Sequence, residues 1–99
     1  MPFAISFLDD PGTTKERKSS FREAHIEYVT RNAHRIIASG GLFPDDDDFP
    51  DGGLILLDVQ TRAQAVDYIE NDPFFLNRIF SQYKIHRWKK FVFDHQRVT

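Results

Sequence analysis

Apolar and polar residues alternate from Phe3 to Leu8, with Phe3, Ile5 and Phe7 on one side and Ala4, Ser6 and Leu8 on the other. A period of two predicts a β-strand. The following stretch, DDPGTTKERK, predicts a turn and then a polar loop. From Ser19 or Ser20 to about Ser39 the period changes. Phe21, Ala24, His25, Tyr28, Val29, Ala33 and Ile36 recur at steps of three and four, as on one face of a helix. A serine can cap its first free amides, and Gly40-Gly41 is expected to stop it. Leu42-Phe43 reads as a short strand before the acidic loop PDDDDFPDGG, and GLILLDV as a strand apolar on both sides. Thr61 with Gln64 three residues on forms a capping box for a second helix. Asp72 is placed to cap a further turn, with Pro73 at its first position. The run FSQYKIHRWKKFVF reads as a long last strand.

The order is thus strand, helix, short strand, strand, helix, strand. Its economical arrangement is α+β: a ferredoxin-like βαββαβ unit, one antiparallel sheet with both helices on one face. That leaves the other face open, yet Leu54 to Leu57 is apolar on both sides. Leaving such a surface in water forgoes roughly 25 cal/mol per Å². In so short a chain the expected cover is a second copy, which predicts a homodimer through the open sheet face. The 99 residues are expected to form a single domain, with 91–99 a partly ordered tail.

Composition narrows the field. A formal charge of −2 leaves no basic field for nucleic acid, and Lys15 to Lys18 reads as solvated surface. No apolar run approaches the roughly 20 residues of a membrane span, and the opening run meets Asp9 and Asp10 too soon for a secretory leader. The absence of cysteine removes disulfides, thiolate metal sites and thiol nucleophiles, which fits a cytoplasmic location. The expectation is a domain with neither nucleic acid nor membrane as partner.

Arg22 and His25, three residues apart, are neighbours on one helical face. His25 lies among Phe21, Tyr28 and Val29, so it should point towards the sheet. A histidine there is either a satisfied core residue or a proton-transfer group, and the second role needs a partner that orients the ring. Asp72, fixed before Pro73 by its capping position, could accept a proton from Nδ1 of His25 and stabilise the imidazolium. Spacing alone does not bring the two together. The other histidines, His34, His86 and His95, make no close ligand pair, and Asp45 to Asp48 lacks the spacing of a calcium loop. No metal and no cofactor is expected.

REAH on the first helix, GGL after it, DGGLILLDV, DPFF and the late IHRWKKF together resemble the YciI-like (YCII-related) family over nearly the whole chain. The resemblance implies a dimeric α+β-barrel built from ferredoxin-like halves, with a pocket holding a His–Asp dyad. By motif the dyad falls on His25 and Asp72, and the family's arginine on Arg22. Tyr28 and the late aromatic Trp88 join Arg22 as expected substrate-binding residues. The implied activity is cofactor-independent proton transfer, of isomerase, lyase or dehydrochlorinase type, on a small enolisable, phenolic or lactone substrate. The alternative is a non-catalytic dimeric module that binds a metabolite or serves a larger enzyme. Arg78 and Arg87 stand where the family often has glycine and proline. If they border the pocket, they favour an anionic ligand.

Overall fold

The computed structural model describes residues 1–99. Strand β1 (Phe3–Leu8) lies inside the sheet, paired antiparallel with β3 (Gly52–Leu57) on one side and β4 (Tyr83–Arg87) on the other. Strand β2 (Ile36–Leu42) extends the sheet beyond β3, so the order is β2-β3-β1-β4. Helices α1 (Lys15–Ser20) and α2 (Arg22–Arg31) connect β1 to β2. Helices α3 (Arg62–Glu70) and α4 (Pro73–Leu76) connect β3 to β4. This is the ferredoxin-like α+β arrangement, and within one chain the sheet stays open. No helix is long and apolar enough to cross a membrane.

The alternation in β1 sets the two faces. Phe3, Ile5 and Phe7 join Ile55 and Leu57 of β3 and Ala65, Tyr68 and Ile69 of α3 in the buried core. Phe80 closes its lower end, stacking on Phe7 with ring centroids 3.8 Å apart. The second helix starts as its capping box requires: the Thr61 hydroxyl accepts from Gln64 N–H, and the Gln64 side chain accepts from Thr61 N–H. On the opposite face Leu8 and Leu54 remain 63% and 42% exposed.

Three expectations are corrected. The polar loop after β1 contains α1, because Thr14 caps it by accepting from Arg17 N–H at 3.1 Å. The long helix expected up to Ser39 ends at Asn32, whose backbone and side-chain amides both donate to the Tyr28 carbonyl. After a 3₁₀ turn at Ala33–Arg35 the chain is extended. The β-branched pair Ile36-Ile37 favours that geometry, and Gly40 and Gly41 pair with Leu54 and Gly53 inside β2 in place of stopping a helix. Lastly, β4 stops at Arg87, and β5 (Val92–Phe93) forms a small hairpin with β6 (Gln96–Arg97).

Candidate functional site

Below α2 the core thins out. None of the residues of α2 is fully buried, and the strands facing it present Ser39, Gly41 and Gly53 in place of large side chains. A cavity of about 630 Å³ is the result. Gly53 is required at its floor, since a Cβ there would come within 2.7 Å of the Phe7 ring. Phe43, Phe49 and Phe74 supply flat apolar wall, while His25, Asp72, Arg22 and Lys18 supply the polar groups. An apolar hollow with a few convergent polar groups is the usual form of a small-molecule site.

Asp72 organises one side of it. Its carboxylate is buried at the start of α4, where one oxygen accepts from Phe74 N–H at 2.8 Å. The same carboxylate faces Nδ1 of His25 at 2.9 and 3.0 Å. An ionised carboxylate can only accept, so a neutral imidazole facing it carries its hydrogen on Nδ1 and its lone pair on Nε2. No protein group bonds Nε2. The ring is held a second way, stacked on Phe74 with centroids 4.1 Å apart and planes 9° from parallel. The helix cap and the histidine contact are therefore one construction: capping fixes the carboxylate, and the carboxylate fixes the imidazole.

The other expected residues divide. Arg22 lines the cavity from the exposed surface of α2 and makes no hydrogen bond within the protein. Tyr28 does not line it, since its hydroxyl donates to the Tyr68 carbonyl at 2.6 Å and ties α2 to α3. Trp88 also lies apart, beyond the end of β4, where its backbone N–H donates to the Pro2 carbonyl. Arg78 and Arg87 are exposed and outside the lining.

Two further lining residues, Tyr68 and Lys18, are not among the expected site residues. Tyr68 is 1% exposed, and its hydroxyl bonds no protein group. Burial, and then the nearby Asp72 charge, pushes its phenol well above the ordinary range, so it stays a donor. Lys18, expected on the solvated surface, is 6% exposed. Its ammonium donates to Asp9 at 2.8 Å and to the Pro50 carbonyl at 2.7 Å. The side chain of Tyr68 was legible only as a core aromatic, and that of Lys18 only as one of four charges in a row.

A family model, the YCII-related domain, matches residues 1–89. The chain belongs to the YCII-related family. No curated protein sequence matches this YCII-related chain significantly. Among solved structures it is similar to 5-chloro-2-hydroxyhydroquinone dehydrochlorinase (TftG) from Burkholderia phenoliruptrix AC1100, in complex with 2,5-dihydroxybenzoquinone. The identity is 26% and the TM-score 0.78, over 90% of this chain and 94% of that one. An Arabidopsis thaliana protein, At3g17210, matches at 10% identity and a TM-score of 0.47, covering 91% of this chain and 95% of its own. A dimeric ferredoxin-like protein from Thermobifida fusca matches at 10% identity and 0.41, covering 86% of each chain.

Proposed function

We propose that this YCII-related domain is a small-molecule enzyme in which His25 and Asp72 form a proton-transfer dyad acting on a phenolic, enolisable or lactone ring. The observation that carries this reading is the 2.9 Å contact between Nδ1 of His25 and buried Asp72, with Nε2 left free beside a cavity. Nε2 takes a proton from a hydroxyl, or from a carbon next to a carbonyl. The positive charge that results on the ring is stabilised by the carboxylate behind it. In an isomerisation the same nitrogen returns the proton at another atom. In a dehydrochlorinase-type elimination from the keto tautomer of such a ring, Nε2 takes a hydroxyl proton, the freed O–H electron pair forms a C=O bond, and conjugation through the ring expels chloride with the C–Cl pair, so that a proton and a chloride are lost together. Tyr68 takes the donor role expected of Tyr28, and Arg22 faces the developing oxyanion. Positioned acid–base catalysis of this kind contributes about 10²–10⁴-fold. The likeness to TftG supports a chlorinated hydroxyhydroquinone as the first substrate to try.

The test is turnover of chlorinated hydroxyhydroquinones and muconolactones by wild type and His25→Gln. The variant should fold and lose about 10²-fold or more in kcat. Equal turnover in a folded His25→Gln protein overturns the dyad. Thermal stabilisation by these compounds without turnover returns the domain to the binding-module alternative. The working unit in this proposal is a homodimer, its open sheet faces packed together over Leu8 and Leu54.

A further inference from the structure

The β5–β6 hairpin is unexplained by the chemistry above. It lies beyond the residues 1–89 that the family model matches. Every hydrogen bond made by residues 91–99 stays within the segment, and Phe91, Val92 and Val98 are exposed. A two-stranded hairpin alone in water is marginally stable, and one that shows water its apolar side calls for a cover. The segment is also basic. Five cations and one acid stand between Lys84 and Thr99, a net of +4, so residues 1–83 carry −6.

The densest run of acid is Asp45 to Asp48, on the rim of the cavity that Asp48 and Phe49 line. Lys15 pairs with Asp47, while Asp45, Asp46 and Asp48 are exposed and pair with no cation. Phe43 and Ile26, both exposed, add apolar surface to the same rim. Rim and hairpin therefore match in charge and in hydrophobicity, yet within one chain they lie apart. Strand β2 ends at Leu42, in register with Gly52 and through it Leu8; β4 ends at Arg87, opposite Phe3. The length of β1 separates those ends, about 17 Å at roughly 3.4 Å per residue.

We infer that the hairpin of one copy lies on the acidic rim of its partner's cavity, so that each site is completed by the other chain. The inference rests on the face-to-face dimer proposed above and adds its symmetry. A two-fold axis along the strands would bring hairpin to hairpin, setting one +4 segment against another. An axis across the strands exchanges the two ends of the sheet. Each hairpin then reaches the partner's loop, and the two equal contacts close the assembly. Lys89, Lys90 and Arg97 meet the partner's Asp45, Asp46 and Asp48, while Phe91 and Val92 cover the partner's Phe43 and Ile26.

The test mixes protein carrying a heavy-nitrogen label with unlabelled protein, lets subunits exchange, and cross-links them with a carbodiimide, which joins a lysine to a carboxylate in contact. Mass spectrometry should find Lys89 or Lys90 joined to the Asp45–Asp48 segment in peptides of mixed label. Lys89→Glu/Lys90→Glu should weaken the dimer about tenfold in sedimentation, four surface ion pairs being lost. Adding Asp45→Lys/Asp46→Lys to the same chain should restore it. A dimer without the mixed-label cross-link overturns the inference, and so does a charge reversal that the second pair fails to rescue. Binding of anionic lipid vesicles by a protein that gives no such cross-link overturns it as well. A protein that sediments only as a monomer removes the dimer together with the inference. The dyad is judged separately, since His25→Gln turnover does not depend on the hairpin.

Discussion

Asp72 shows how one side chain can hold several roles at once. As a helix cap it was legible from NDPF, because proline at the first helical position and an acidic residue before it are a local signal. That it reaches His25, 47 positions earlier, is a fact of tertiary packing that no local pattern encodes. Lys18 was illegible for a different reason. Nothing within Lys15 to Lys18 separates the residue that turns inward from those that stay in water; Asp9 and the Pro50 carbonyl make the difference. Arg78 carries a testable cost. Its φ of +57° is left-handed, a region that suits glycine. Its side chain makes no hydrogen bond, so little is lost with it. Arg78→Gly should raise stability by about 0.5–1 kcal/mol, read from the denaturant midpoint.

Among the elements, α3 and β1 were legible in the sequence, while α1 and most of β2 were not. The capping box placed α3, and alternation placed β1. Strand β2 was hidden because Ala33 and Ile36 happen to continue the helical period of α2, and what overrides it is antiparallel pairing with β3. The contact between β4 and α3 gives a pH prediction. The Tyr83 phenol donates to Glu70 at 2.5 Å, and burial, reinforced by Glu70, pushes its pKa up to about 12. The protonated form is favoured on folding, so this contribution is complete below the ordinary phenol pKa of about 10. It is lost as pH rises from there through about 12. Denaturant unfolding across that window should show Tyr83→Phe losing less stability with rising pH than wild type. Tyr28 and Tyr68, raised first by burial and then by the Asp72 charge, contribute with the same sign.

At the scale of the whole molecule, the open face of the sheet was foreseen from the two-sided apolar pattern of Leu54 to Leu57. The proposed dimer predicts a sedimenting mass twice the 11.6 kDa of one chain. Leu54→Glu, placing charge on that face, should shift the protein towards monomer without unfolding it. The other whole-molecule feature is the hollow under α2. A helix with no fully buried residue rests on a void, so it belongs to the least protected part of the fold. Amide protons of α2 should exchange with deuterium faster than those of α3, and slow when a ring fills the space. The missing portion of the hydrophobic interior would then be lent by the guest, and grip and rigidity would arrive together.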